Sequence, residues 1–293
     1  MKKKSIMAVL LSAVMVTGLF GAVGTEAAAS DEERTIKLGL TGVIYEDIWD
    51  PIKEALAEEG ITLEYVQFSD FSLPNAALDA GEIDINAFQH HAYFENDVES
   101  NGYDITAIGD TFIIAMNIYS DKISSVDELQ DGDVVAIPDD ASNGGRALKV
   151  LESAGVITIS EEAGSNPTVS DIESYNVEIK IEEMGAANIP SIIPDVAAAV
   201  CNGNYALDYG IDPETAIFEE TEYEDDSYFC LIAVRSDEVD DPVFAEIVEL
   251  FQSETTKAIF EDTFSGYFVP AWEVELEQAE TELTQTELSE TTE

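Results

Sequence analysis

The two histidines of the chain are adjacent and lie in a short aromatic run, Phe88-Gln89-His90-His91-Ala92-Tyr93. Residues 81–87 come just before it, and their glycine and alternating isoleucines predict a turn and a short buried strand. Aromatic faces and a histidine at the end of a core strand lie where α/β proteins bind small molecules. These residues could therefore serve metal binding, acid–base chemistry or ligand binding.

Metal binding and nucleophilic catalysis find little support. Adjacent strand residues point to opposite faces, so His90 and His91 would not chelate one ion together. The chain has no third histidine, no H-E-x-x-H and no cysteine pair at zinc spacing. It also lacks a Gly-x-Ser-x-Gly elbow and a phosphate-binding glycine motif. We predict no metal, no cofactor and no catalytic residue. An exported enzyme with His90 as acid or base remains the alternative.

The segment Asn143-Gly144-Gly145-Arg146 could hold an anion. It follows a strand predicted at 134–138 and opens a helix predicted from about Arg146 to Ser153. Backbone N–H groups at a helix start and a fixed guanidinium attract a carboxylate. The ordinary alternative is a surface arginine paired with an acid. Asn202, also at a predicted strand end, could bond an amino or carboxylate group, although a lone asparagine there is more often a helix cap.

Acidic residues dominate the composition: 62 Asp and Glu face 12 Lys and Arg, for a net charge of −50. Such a surface repels nucleic acid and anionic lipid headgroups. Lys2 to Lys4, the apolar stretch from Ile6 to Val23 and the triple alanine at 27–29 predict a signal peptide over residues 1–29, with an uncleaved anchor as the alternative. We therefore expect an exported protein of the cell envelope or extracellular space, without a nucleic-acid partner. Cys201 and Cys230 permit a disulfide, and buried free thiols are equally compatible.

Strand and helix patterns alternate along the chain and predict an α/β fold with parallel sheets. Two such runs, joined near residues 110–120, predict two lobes with a cleft between them. The apolar stretch 105–119 is compatible with one long strand or a crossover. Residues 273–293 contain eight Glu and no basic residue, which predicts a disordered acidic tail. A further alternative, an adhesin-like interaction protein, is supported by this tail alone. The predicted strands are 35–40, 61–68, 83–88, 134–138, 177–181 and 229–235, and the helices 46–59, 73–80, 146–153 and 243–260.

Several short runs form a set in a fixed order along the chain: Phe68-Ser69-Asp70-Phe71-Ser72-Leu73-Pro74-Asn75, Ile85-Asn86-Ala87-Phe88-Gln89-His90 with Tyr93, Ile118-Tyr119-Ser120, Ser125 to Leu129, Asn143 to Arg146, and Asn202-Gly203-Asn204-Tyr205-Ala206. With these runs the chain, over residues 35–272, resembles the NlpA family of substrate-binding lipoproteins, whose best-known members bind methionine for an ABC importer.

The resemblance implies a two-lobed periplasmic-binding-protein fold of type 2, closing on its ligand by hinge motion. The first lobe would span about 35–112 plus the C-terminal helix, and the second about 120–240. It further implies a monomer that does no chemistry and delivers methionine or a related amino acid to an ABC permease and ATPase. Arg146 and Asn143 would hold the ligand carboxylate and Asn202 its polar end, while a side-chain pocket would be walled by Phe71, Phe88, His90 and Tyr93.

The chain departs from the family pattern in three places. The lipid-bearing cysteine is replaced by Ala22, which argues against lipid anchoring; the protein would be released after Ala29 or held in another way. A Pro-Met-Gly-like run is replaced by Ala115-Met116-Asn117, so we expect Asn117 to alter the pocket or the hinge. Ile189-Pro190-Ser191 stands where many members have Leu-Pro-Arg.

Overall fold

The computed structural model describes residues 34–223 and 225–274. The expected signal peptide and nearly all of the expected acidic tail lie outside these residues. In the described part of the chain, none of the helices combines the length and the apolar character needed to cross a bilayer.

Strands and helices alternate as the sequence pattern predicts. The strands are β1 (Arg34–Leu40), β2 (Ile61–Gln67), β3 (Ile85–Asn86), β4 (Ile105–Asp110), β5 (Phe112–Ile114), β6 (Met116–Tyr119), β7 (Val134–Pro138), β8 (Ile157–Ile159), β9 (Ile172–Tyr175), β10 (Lys180–Met184), β11 (Ala198–Asn202), β12 (Leu231–Arg235) and β13 (Phe268–Pro270). The helices are α1 (Ile44–Glu58), α2 (Pro74–Asp79), α3 (His91–Asn101), α4 (Ala141–Ser153), α5 (Ile189–Ile192), α6 (Gly203–Asp208), α7 (Pro242–Phe251) and α8 (Glu254–Asp262).

The first lobe is built on a five-stranded sheet of order β2-β1-β3-β12-β4. Strands β1, β2 and β3 are parallel, whereas β12 runs antiparallel to β3 and β4. Helix α1 carries apolar residues three and four positions apart, and this spacing buries one face of the helix. Trp49 on that face packs against Phe251 of α7, with ring centroids 4.9 Å apart. Helices α7 and α8 thus belong to the core of the first lobe.

The second lobe is built on a four-stranded sheet of order β10-β7-β11-β6, covered by α4, α5 and α6. Its apolar core includes Leu148 and Leu151 of α4, which pack with buried residues of β6, β7 and β11. The chain passes between the lobes at residues 110–116 and again within 218–223 and 225–231. These two crossings are hydrogen-bonded to each other, since Thr111 N–H donates to the Cys230 carbonyl and Cys230 N–H donates to the Phe112 carbonyl.

Some predicted elements differ from the structure. The stretch 105–119 is neither one strand nor a plain crossover but three strands, β4 to β6. The single helix predicted at 243–260 is two helices, because α7 ends at Phe251 and Ser253 starts α8. The strand predicted at 83–88 is paired only at Ile85–Asn86. Residues up to 240 were expected in the second lobe, but β12 pairs within the first sheet.

Candidate ligand-binding site

A cavity of about 390 Å³, including the part open to solvent, lies where the two lobes meet. Its walls contain every site residue predicted from the sequence. The first lobe contributes Phe71, Phe88, His90 and Tyr93, and the second lobe contributes Asn143, Arg146 and Asn202.

Three aromatic rings line the apolar side of this site, and a fourth packs against them. Phe71, Phe88 and Tyr93 lie with their ring centroids 6.0–6.1 Å apart in the first lobe. Tyr205 of α6 reaches across from the second lobe and lies 4.6 Å from Phe71. The wall is therefore completed only where the lobes touch.

A buried amide network fixes the loop that carries Phe88. Gln89 Nε2 donates to Asn75 Oδ1 at 2.6 Å and to Asn86 Oδ1 at 3.1 Å. Asn75 Nδ2 donates in return to Gln89 Oε1 at 2.7 Å. Fully paired buried amides specify one loop conformation, because breaking any bond leaves an unpaired polar group in the core.

His90 is a helix cap and not a strand residue. Its Nδ1 accepts a hydrogen bond from the backbone N–H of Tyr93 at 3.1 Å, so the neutral ring carries its proton on Nε2. Nε2 lies 3.2 Å from Asn143 Oδ1 and donates to it across the cleft. Burial, and then the positive charge of Arg146, lower the pKa of His90 to about 3. The imidazole is therefore neutral at physiological pH, which makes it a poor acid or base there.

His91 lies apart from the cavity. It is the first residue of α3, and its Nε2 lies 2.7 Å from Asp110 Oδ1. The two histidines therefore diverge, as expected, but because the chain turns into a helix at His90 and not because a strand alternates its faces. In residues 34–223 and 225–274, no group of three or more His, Cys, Asp or Glu is arranged to hold a metal ion.

Asn143 orients the polar side of the cavity. Its Nδ2 donates to both carboxylate oxygens of Asp140 at 3.0 Å, which turns its Oδ1 toward the cleft. That Oδ1 accepts from His90 and from Asn202 Nδ2 at 2.8 Å. Asn202 is consequently held with its own Oδ1 buried and without a partner among the described residues. A buried acceptor of this kind is costly unless something donates to it.

Helix α4 begins earlier than predicted, and this changes the role of its first turn. Asp140 is the N-cap, and its carboxylate accepts from the backbone N–H of Asn143 at 2.9 Å. The helix N-terminus is therefore occupied by an acid of the chain itself and is not an open anion site. Arg146 lies more than one turn inside the helix and acts through its side chain alone.

Arg146 is buried and already paired. Its Nε donates to Glu220 Oε1 at 2.8 Å and its Nη2 to Glu220 Oε2 at 2.5 Å and to the Ile114 carbonyl at 2.9 Å. The guanidinium also lies over the ring of Tyr228, 4.4 Å from its centroid. Burial alone would lower the pKa of Arg146, but the Glu220 carboxylate outweighs burial and raises this pKa above its ordinary value. Nη1 takes part in none of these bonds, and the Tyr223 hydroxyl also lies close to the guanidinium.

Sequence reasoning missed several residues of the site. Asn204 and Tyr205 stand in one of the runs that match the family, but the sequence indicates no role for either residue. Glu220 had no signal, because it is one acid among 62 Asp and Glu in the chain. The cavity is also lined by Tyr45, Gln89, Ile114, Gly203, Asn204 and Cys230.

Known proteins resemble this chain over most of its length. The family model for NlpA lipoprotein matches residues 36–272. The D-methionine-binding lipoprotein MetQ of Escherichia coli O157:H7 is 35% identical over 263 residues, which cover 88% of this chain and 96% of that relative. A nutrient binding protein from Burkholderia cenocepacia, solved bound to methionine, superposes with a TM-score of 0.76 at 38% identity, covering 80% of this chain and 99% of the other. The substrate binding protein of a methionine transporter from Streptococcus pneumoniae gives a TM-score of 0.76 at 31% identity, covering 80% and 95%.

The fold and the site define a two-lobed binding protein of the α/β periplasmic type, as the sequence predicted. The chain belongs to the NlpA lipoprotein family.

Proposed function

We propose that this protein is the solute-binding component of an ABC importer and binds methionine, or a closely related amino acid, between its lobes. The observation that carries the proposal is the cavity itself, which joins the rings of Phe71, Phe88 and Tyr93 to a buried arginine and an unpaired amide oxygen. The relatives named for methionine binding or solved with methionine support the same ligand.

Residues of the two lobes contact different parts of the ligand. Arg146 Nη1 donates to the ligand carboxylate, and Asn202 Oδ1 accepts from its ammonium group. Phe71, Phe88 and Tyr93 surround the side chain, which suits a thioether because sulfur packs well against aromatic rings. Asn143 was expected to hold the carboxylate, but its amide protons already serve Asp140. We assign it instead to orienting His90 and Asn202.

This role requires partners but no chemistry. The protein would be exported, act as a monomer in the cell envelope, and pass its ligand to a membrane permease driven by an ATPase. Binding without turnover agrees with the site, because His90 is held neutral by burial and pairs with an amide. An enzyme would need a titratable group near physiological pH beside the ligand.

Calorimetric titration of refolded, ligand-free protein with L-methionine tests the proposal directly. We expect one tight site per chain, and no heat from L-methionine, D-methionine or methionine dipeptides would refute it. Recovery of the ligand unchanged after long incubation would separate binding from catalysis.

A matched pair of arginine variants tests the site. Arg146→Ala should weaken methionine binding by roughly 30-fold or more, because a buried charged contact to the ligand is lost. Arg235→Ala is the control, since Arg235 also contacts two backbone carbonyls and two carboxylates but lies outside the cavity. Both variants are compared by thermal unfolding, and equal losses of affinity would remove Arg146 from the site.

A further inference from the structure

Glu220 is built into the site from the segment that crosses between the lobes. Its carboxylate accepts two hydrogen bonds from Arg146 and one from the backbone N–H of Met116 at 2.8 Å. Its own backbone N–H donates to Asn117 Oδ1 at 3.0 Å. The side chains of Arg146 and Glu220 are only 3% and 9% exposed. The carboxylate is therefore fixed beside the guanidinium and is largely shielded from water.

This pairing determines the charge that a ligand meets. Among the described residues that line the cavity, Arg146 is the one that carries a full charge, because His90 is neutral there. Glu220 compensates that charge before any ligand arrives. Asp140, half-buried on the other side of Asn143, is an acid and supplies no cation for the ligand. A ligand with a net negative charge would thus enter a buried region that offers it no uncompensated cation, which is costly.

We propose that Glu220 is a specificity-determining residue that makes the site select zwitterionic amino acids over carboxylates lacking an ammonium group. The inference rests on the proposed function and names the charge class of its ligand. A zwitterion brings no net charge, so its carboxylate can share Arg146 while its ammonium meets Asn202 Oδ1. The corresponding 2-hydroxy acid keeps the carboxylate, the thioether and a hydroxyl donor for Asn202, but it is an anion.

The test compares two ligands that differ mainly in this charge. Dissociation constants are measured for L-methionine and for 2-hydroxy-4-(methylthio)butanoate. The unmodified protein should bind the hydroxy acid at least about 30-fold more weakly than methionine, because the buried anion is not compensated. Glu220→Gln should shrink this ratio by about tenfold or more, since a charge within a few ångströms of Arg146 is removed at low local dielectric.

Glu219→Gln is the matched control. It removes the same charge from the adjacent residue, whose side chain is exposed, and should leave the ratio unchanged because solvent screens it. A purely structural role of Glu220 would weaken both ligands alike and leave the ratio intact. A ratio within threefold of that of the unmodified protein in folded Glu220→Gln would overturn the proposal.

Two further measurements decide the matter if Glu220→Gln does not fold. Glu220→Asp keeps the charge, so it should preserve the ratio of the two dissociation constants even where affinity falls. A ratio that falls as far as expected for Glu220→Gln would contradict the proposal. Hydroxy acid bound within threefold of methionine by the unmodified protein would overturn this inference alone. Failure of the unmodified protein to bind either compound would instead overturn the proposed function.

Discussion

Asp208 links the two lobes at the N-terminus of α1, and we expect Asp208→Ala to weaken ligand binding from outside the cavity. The carboxylate, at the end of α6, accepts a hydrogen bond from the backbone N–H of Ile44 at 3.1 Å. The N-cap residue of α1, Val43, has no side chain able to do this. The second lobe therefore supplies the cap that a helix of the first lobe lacks.

The size of the effect follows from the exposure of this contact. A hydrogen bond to a charged group contributes about 1.5–3 kcal/mol, and a carboxylate at a helix N-terminus about 0.3–1 kcal/mol. Asp208 is exposed, so screening by solvent reduces the expected loss to about 1 kcal/mol. Because the contact joins the lobes, the loss falls on the closed arrangement, and the apparent dissociation constant should rise about fivefold.

Titration calorimetry with L-methionine measures this change, and stopped-flow kinetics locate it. We expect faster ligand dissociation with a nearly unchanged association rate, since the variant leaves every cavity-lining residue in place. Asp121→Ala is the control: it removes an exposed carboxylate that forms no hydrogen bond with other described residues. If Asp208→Ala binds within twofold of the unmodified protein and releases ligand at the same rate, the contact does not hold the lobes together.

Three further predictions concern stability and reactivity. Cys201 and Cys230 are free and buried, and burial raises the pKa of Cys230 to about 12 and that of Cys201 further. A thiol reagent should therefore react with no thiol in the native protein and with two after denaturation. A disulfide between them would leave no reactive thiol in either state. The hydrogen bond to Asp110 raises the pKa of His91 above its ordinary 6.5, although burial opposes this. The ion pair therefore stabilises the fold fully below pH 6.5, and this stabilisation is lost as the pH rises through the raised pKa. His91→Gln should thus lower the free energy of unfolding in urea at pH 5.5 by less than about 1 kcal/mol and leave it unchanged at pH 9, and equal losses at both pH values would contradict this. In Gly203→Ala the new Cβ would lie 2.7 Å from a neighbouring backbone carbonyl oxygen, so we expect a lower melting temperature and weaker ligand binding. Gly81→Ala is the control, because the space around its Cβ is open but φ is +71°. It should lower only the melting temperature.

Regular local patterns were the part of the fold that could be predicted. Helix α1 and strands β1 and β2 have strong periodicity, and they form within two residues of the predicted bounds. The break between α7 and α8 had only Ser253 as a local signal, within an otherwise continuous apolar pattern. The shift from strand to helix at His90 depends on the amides around Gln89, which meet only in the folded chain. Such tertiary contacts override local preference.

The site likewise contains residues that the sequence reveals and residues that it does not. Residues that contact the cavity with an aromatic ring or a rare basic side chain stand out from an acidic sequence, and resemblance to the family pointed to the same positions. Asp140 and Glu220 do not stand out, because acids are abundant and either could be a solvated surface charge. Only their burial and their bonds to Asn143 and Arg146 distinguish them.

The departure at Asn117 gains a physical meaning from these contacts. Asn117 is 2% exposed on β6, and its Oδ1 accepts the backbone N–H of Glu220. Asn117 therefore ties the crossing segment to the second lobe at the residue that pairs with Arg146.

Arg146 is also held by the carbonyl of Ile114 in the other crossing. These two bonds hold Glu220 and Arg146 to the segments that cross between the lobes. The polar end of the site is thus attached to the crossing segments, whereas the aromatic cluster that includes Phe71 and Tyr205 is assembled from both lobes. We therefore expect charge selection and lobe closure to respond to substitutions at separate residues, Glu220 and Asp208.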